Sequence, residues 1–336
     1  MPGKDIIVIG ASAGGIEALR SVFGSLPADF PASIFVVLHT SPDSPGVLAH
    51  IFAEAGPLPV KYAVHGERIE PGWIYVARAD HHMLVAPGKI ELTRGPRENR
   101  FRPAIDPLFR SAAQTYGPRV VGVILSGGLD DGVNGLWTIK QLGGTTVVQD
   151  PDEALAPSMP LSALTYVRVD YKVRVAELAP LLVRLAATRA DAREGELAVP
   201  EDIEIEVKIA KEDKATTVGV QKLGTPSMYA CPECHGVLLQ MKDANPLRFR
   251  CHTGHAYTLE SLLADMDDVI EDSLWSAIRA LEERAMLMRQ AAAHAREAHA
   301  GDARALLEFA EETQRRADIV RQAVFDEHAK ASGAGA

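Results

Sequence analysis

The apolar positions in the first half of this chain follow two rhythms. Short unbroken runs, Ile6-Ile7-Val8-Ile9, Ile34-Phe35-Val36-Val37-Leu38 and residues 120–125, are too short for core helices. They read as strands buried on both faces. Between them apolar residues recur at helical spacing, as in Ile16, Leu19, Val22 and Phe23. Ser44 as N-cap with Pro45 behind it predicts a helix over 45–55. Shorter strands are expected at 60–64, 73–77, 83–86 and 90–93, with Gly and Pro marking the turns. Asp106-Pro107 opens a helix to about Thr115, and the Gly-rich turn 127–132 leads into another that ends at Gly143-Gly144. A strand at 145–149 and a helix over 176–185 complete the pattern. Buried strands alternating with helices predict an α/β domain over 4–186, a doubly wound, mostly parallel sheet with helices on both faces.

The pattern then changes. In the segment 187–227, Ile203, Ile205, Val207 and Ile209 alternate with Glu and Lys, which predicts a linker holding a half-exposed strand. Residues 228–258 contain all the cysteines. Over 259–330 the apolar residues Leu259, Leu262, Leu263, Met266, Val269, Ile270, Leu274, Ile278 and Leu281 keep helical spacing. Gly301-Asp302 is expected to break this stretch into a hairpin whose second helix carries Leu306, Leu307, Ile319, Val320 and Phe325. Residues 331–336 are expected to be a disordered tail.

Composition narrows the function. The 336 residues suffice for about two domains, and 47% hydrophobic with 24% charged residues is ordinary globular usage. A net charge of −10 argues against a nucleic-acid binder. No apolar run approaches the roughly 20 residues of a membrane span, and the N-terminus shows no signal-peptide pattern. The expectation is a cytoplasmic protein that is not embedded in a membrane.

Ligands of a doubly wound sheet bind beyond the carboxyl ends of its strands. Ser12 follows the first strand, His39 the second, and Asp130-Asp131 follow the strand at 120–125. An alcohol becomes a nucleophile when a base takes its proton, and a carboxylate fixes the tautomer of that base. Each residue also has a local explanation: Ser12 as a turn residue, His39 as a bonded loop residue, Asp130 or Asp131 as a helix cap. Three matched residue types at three strand ends favour the catalytic reading. Gly10-Ala11-Ser12-Ala13-Gly14-Gly15 fits neither the dinucleotide G-x-G-x-x-G spacing nor a Walker loop. His81 and His82 fall near the same rim and are expected in a turn, whereas His294, His299 and His328 suggest no role.

Gly10-Ala11-Ser12-Ala13-Gly14-Gly15, Val37-Leu38-His39, Arg102-Pro103-Ala104-Ile105-Asp106-Pro107-Leu108-Phe109, Ser126-Gly127-Gly128-Leu129-Asp130-Asp131-Gly132 and Met159-Pro160 resemble, in order, the catalytic domain of chemotaxis protein-glutamate methylesterases, the CheB family. The resemblance implies Ser12 as nucleophile, His39 as general base, Asp131 as the acid of the triad and an oxyanion hole from the backbone N–H groups of Ala13 and Gly128. It implies hydrolysis of γ-glutamyl methyl esters on chemoreceptor helices or receptor-like signalling proteins, at receptor arrays, with glutamine deamidation in some members and no catalytic cofactor. Two departures stand out. Ala13 replaces the Thr that usually follows the nucleophile, and the usual N-terminal receiver domain is missing. The latter predicts that phosphorylation of this chain is not the switch, and that the enzyme is unregulated or controlled through its C-terminal half. The alternatives are an idle scaffold binding a receptor or sensor kinase, and a hydrolase of another ester.

Cys231-Pro232-Glu233-Cys234 followed by Cys251 and His255 suits tetrahedral zinc in a closed, structural site. His252 and His235 are alternates for the fourth position. The module resembles the C-terminal zinc-ribbon-like segment of receiver-less CheB-type proteins.

Overall fold

The computed structural model describes residues 3–190, 198–211, 215–242, 246–297 and 303–333. In chain order its first part contains β1 (Ile6–Ala11), α1 (Gly15–Gly24), β2 (Ser33–Leu38), α2 (Leu48–Ala53), β3 (Val60–Tyr62), β4 (Ile74–Val76), β5 (His82–Ala86) and β6 (Lys89–Thr93). It continues with α3 (Ile105–Tyr116), β7 (Val120–Ile124), α4 (Val133–Gln141), β8 (Thr145–Gln149), α5 (Ser158–Tyr166), β9 (Tyr171–Val173) and α6 (Val175–Ala187). Seven strands pair in the order β3-β4-β2-β1-β7-β8-β9, every pairing parallel. Alternate residues of one strand serve two cores. Ile7 and Ile9 join Leu19, Phe23 and Leu182 on one face. Ile6 and Val8 join Phe109, Leu136 and Met159 on the other. Burial of both parities is why these strands read as unbroken apolar runs.

β1 lies between β2 and β7, so the chain leaves it toward opposite edges of the sheet. The crevice beyond the carboxyl ends of β1, β2 and β7 is the switch point where such sheets bind ligands.

Several elements differ from expectation. The strands β5 and β6 form a separate antiparallel hairpin that packs on α3, where Val85 N–H donates to Ser111 Oγ at 3.0 Å. α2 begins at Leu48, not at 45, because Gly46 takes a left-handed φ of 72°. α5 was hidden by its prolines: Pro160 sits in the first turn, where its missing N–H has no helical partner to lose. The segment expected as a linker with a strand contains α7 (Glu201–Lys211). Ile203, Ile205, Val207 and Ile209 are all buried, as are Glu206 and Ala210. A helix covered on most of its circumference loses the single apolar stripe, and its alternation imitates a strand.

α8 (Ala215–Val218) follows, then β10 (Gly224–Ala230), β11 (Val237–Met241), β12 (Arg248–Cys251) and β13 (Ala256–Thr258), an antiparallel sheet in sequential order. This cysteine module and the parallel sheet belong to one compact unit, Met1–Leu262.

The second unit, Leu263–Ala336, holds most of α9 (Leu259–Glu297) and all of α10 (Ala303–Gly333). Ile278, Ala285 and Ala292 are buried at heptad spacing, as are Ala310, Ala317 and Val324. Trp275 meets Phe325 edge to face, and Glu282 pairs with Arg321. Contacts running in opposite directions along the two helices make an antiparallel hairpin with an alanine seam. The expected break at Gly301-Asp302 lies outside the described residues, as do residues 334–336. α10 reaches Gly333, where a disordered tail from 331 was expected, in keeping with the helix propensity of its Ala and Lys residues. Among the described residues no helix is long and apolar enough to cross a membrane.

Candidate active site

Ser12 lies in the turn between β1 and α1. Gly14 adopts a φ of +79°, and a Cβ on it would lie 2.7 Å from Leu155 Cβ and 2.8 Å from Ser126 Oγ. A Cβ on Gly15 would meet that of Ala11 at 2.6 Å. Only glycine permits so sharp a strand-to-helix turn. The loop after β7 staples it: Ser12 N–H donates to the Ser126 carbonyl at 2.9 Å, and the Ser126 hydroxyl donates to the Ala13 carbonyl at 2.7 Å.

His39 follows β2 directly, and its N–H donates to the Ala11 carbonyl at 3.2 Å. Its ring stacks on Phe101 with centroids 3.6 Å apart and planes at 7°. Nε2 lies 2.7 Å from Asp131 Oδ2. The same oxygen accepts the Ile105 N–H at 2.7 Å, at the start of α3, and Oδ1 accepts Asn99 Nδ2 at 2.8 Å. Burial works to raise the Asp131 pKa. The His39 hydrogen bond and charge, followed by the Ile105 and Asn99 donors, overcome it and hold the carboxylate below its usual range. An ionised carboxylate only accepts, so in this hydrogen bond Nε2 of the ring is the donor. Nδ1 is buried without a partner.

The adjacent acids have opposite surroundings. Asp130 turns away to accept the Thr258 hydroxyl at 2.6 Å, and burial pushes its carboxyl up to about 7. Burial and the Asp131 charge push Asp106 up to about 7 as well.

Ser12 and His39 share the walls of a groove with two lobes. One, about 350 Å³, is completed by Thr40, Arg97, Arg100, Phe101 and Arg102. The other, about 410 Å³, has apolar walls from Ile16, Leu38, Val47, Leu48 and Ile51. Ser12 Oγ makes no hydrogen bond to His39 among the described residues, so the groove unites the two residues without joining them. The N–H groups of Ala13 and Gly128 have no protein acceptor among the described residues, and the space around Gly128 is open. His82, expected in a turn, instead opens β5 in full burial, with Nε2 2.9 Å from the Pro96 carbonyl. His81 Nδ1 is 3.0 Å from the Ala79 carbonyl. His294 is exposed on α9, and His299 and the His328 side chain lie outside the described residues.

A buried ionic cluster escaped the sequence reading. Glu98 pairs with Arg110 and, at 3.1 Å, with Arg250. Glu206 of α7 pairs with Arg250 at 3.0 Å and Arg248 at 2.5 Å. Its one trace in the sequence is a charged residue inside an otherwise apolar helix face, such as Arg110 between Phe109 and Ala113.

The sulfurs of Cys231, Cys234 and Cys251 and Nδ1 of His255 lie within 4.8 Å of one another. The Cys234–Cys251 sulfurs are 3.6 Å apart, and Nδ1 is 3.7 and 3.5 Å from the Cys231 and Cys251 sulfurs. Tetrahedral bonds of about 2.3 Å to sulfur and about 2.0 Å to nitrogen require separations of roughly 3.8 and 3.5 Å. The residues therefore fit a metal ion. Glu233 stands 3.2 Å from the far nitrogen of His255, where it would orient the ring. Neither alternate, His252 nor His235, belongs to the cluster.

A sequence profile described as CheB methylesterase matches residues 7–182. A Leptospira interrogans protein named as a protein-glutamate methylesterase/protein-glutamine glutaminase is 38% identical over 190 residues, 56% of this chain and 98% of that protein. The protein-glutamate methylesterase FrzG of Myxococcus xanthus is 38% identical over 164 residues, 48% of this chain, and the match spans about half of FrzG, 49%. The crystal structure of the Thermotoga maritima CheB methylesterase catalytic domain aligns with a TM-score of 0.53 and 33% identity, covering 55% of this chain and 100% of that one.

Proposed function

We propose, on the premise that this chain belongs to the CheB methylesterase family, that it hydrolyses γ-glutamyl methyl esters of chemoreceptors and deamidates glutamine at the same site. The observation that carries this reading is the buried His39–Asp131 pair, 2.7 Å across, with an unpaired Nδ1 beside the groove that Ser12 lines.

The Ser12 hydroxyl adds to the ester carbonyl as Nδ1 of His39 takes its proton. The imidazolium so formed is stabilised by Asp131, which stays ionised. The oxyanion settles on the Ala13 and Gly128 N–H groups, each such donor contributing about 3 kcal/mol. Methanol departs with the proton from His39. Water then attacks the acyl-enzyme with His39 again as base, freeing the glutamate and Ser12. An amide follows the same path with ammonia leaving. Arg97 and Arg100 on one wall, beside Arg102 that is already paired with Asp80, suit an acidic substrate, such as a methylated receptor helix or a receptor-like signalling protein at cytoplasmic arrays.

Cys231, Cys234, Cys251 and His255 would hold zinc in a closed site, where the ion would supply a cross-link and no catalysis. Ser12→Ala is expected to reduce methanol release from methylated receptors by at least about 10³-fold. It should also abolish labelling by a fluorophosphonate. Undiminished release would overturn the reading, and an idle scaffold would label in neither form.

A further inference from the structure

The turn 98–101 touches both the His39–Asp131 pair and the buried ionic cluster. Phe101 stacks on the His39 ring, Glu98 pairs with Arg110 and Arg250, and Asn99 bonds Asp131. Asn99 is buried, with a left-handed φ of 49°. Its amide nitrogen donates to two carboxylates, Asp131 at 2.8 Å and Asp106 at 3.0 Å. Its amide oxygen accepts Thr258 N–H at 3.1 Å and the Ser261 hydroxyl at 3.4 Å. The amide can point only this way, since a flip would set its oxygen against two carboxylates and its NH2 against the Thr258 N–H.

The backbone completes the grip. Asn99 N–H donates to the Ala256 carbonyl at 2.8 Å, and Ala256 N–H donates to the Arg97 carbonyl at 3.2 Å. Residues 97–99 thus pair with Ala256 of β13 through a single parallel bridge. β13 starts immediately after His255, and Cys251 N–H closes that turn on the His255 carbonyl at 2.9 Å. Arg250, the neighbour of Cys251, adds a second arm, bonding the Gly254 carbonyl at 2.8 Å as well as Glu98.

We propose that the Cys231/Cys234/Cys251/His255 module completes the esterase, with Asn99 as a positioning residue that transmits metal occupancy to Asp131. This rests on the triad assignment above. A bound ion fixes residues 251–255, this fixes β13, and β13 holds the amide that aims Oδ2 of Asp131 at His39. Loss of the ion loosens the brace while the parallel sheet keeps its own core.

The test uses the full chain, zinc-loaded or stripped by a chelator, with and without Asn99→Ala. Stripping and Asn99→Ala are each expected to lower kcat by about ten- to a hundredfold with KM little changed. Stripping the Asn99→Ala protein should cost well under the product of the two single losses, since both act on the turn that holds Asn99. Added zinc should restore the stripped parent and not the variant. A second readout needs no turnover: the downfield proton resonance of the His39–Asp131 bond, identified by its loss in His39→Ala, should shift or broaden in both altered forms. A stripped, folded chain with full kcat and an unmoved resonance would overturn the proposal, as would losses that multiply. If Ser12→Ala proves as active as the parent, the esterase reading fails, and the resonance still decides the coupling.

Discussion

Asp130 and Asp131 are adjacent acids with different solvation. Asp131 collects a ring N–H, a helix-start N–H and an amide, and stays ionised, whereas Asp130 has the Thr258 hydroxyl and little else. With its carboxyl at about 7 when folded and near 4 when unfolded, Asp130 is protonated only in the folded chain between those values. Folding stability therefore falls as pH rises from about 4 to about 7, and the loss persists above that. Asp130→Asn keeps an oxygen for Thr258 and removes the ionisation. Its stability advantage over the parent should grow across that window and then level off, with a ceiling of about 4 kcal/mol, measured by urea unfolding at several pH values. A difference that ignores pH would mean Asp130 ionises freely. The sequence alone left the two acids equivalent; the family motif favoured Asp131, and in the structure it is Asp131 whose Oδ2 lies 2.7 Å from His39 Nε2.

At the scale of elements, α3 crosses β1 so closely that a Cβ on Gly10 would lie 2.4 Å from the Ile105 side chain. The first N–H of α3 is the one Asp131 accepts. Gly10→Ala is expected to push the start of α3 outward, destabilising the chain by about 1–3 kcal/mol and lowering kcat, as read by thermal melts and ester turnover. Elements buried on both faces or along one stripe were legible in the sequence: β1, β2, β7 and α1 follow the rhythm of their apolar residues. Legibility failed where packing came from elsewhere. α7 is wrapped by neighbours on most sides, α5 opens with prolines, and β5–β6 leave the main sheet for α3. Asn99 was invisible for the same reason, since its partners Thr258 and Ser261 lie far along the chain.

For the whole molecule, the buried cluster of Glu98, Arg110, Glu206, Arg248 and Arg250 joins α3, α7 and β12 within the first unit. Buried charges so paired make removal of one partner costly, typically about 3–5 kcal/mol. Zinc removal, or Cys231→Ser with Cys234→Ser, should abolish metal content and lower the melting temperature of the first unit by roughly 10 °C or more, at about 2–4 °C per kcal/mol for a unit of this size. Equal metal in variant and parent would contradict the ligand assignment. The hairpin of α9 and α10 has a separate seam of alanines, so its helical signal is expected to survive that treatment.

The brace on Asn99 has a consequence for biosynthesis. Ser12, His39 and Asp131 have all left the ribosome well over a hundred residues before Thr258 and Ser261 follow. A nascent chain can thus assemble its parallel sheet, with His39 and the Ile105 N–H already on Asp131, while Asn99, the third partner of that carboxylate, still lacks its brace. With Asn99 positioning Asp131 as proposed, full competence for ester cleavage is expected to arrive late in translation, with the residues after His255.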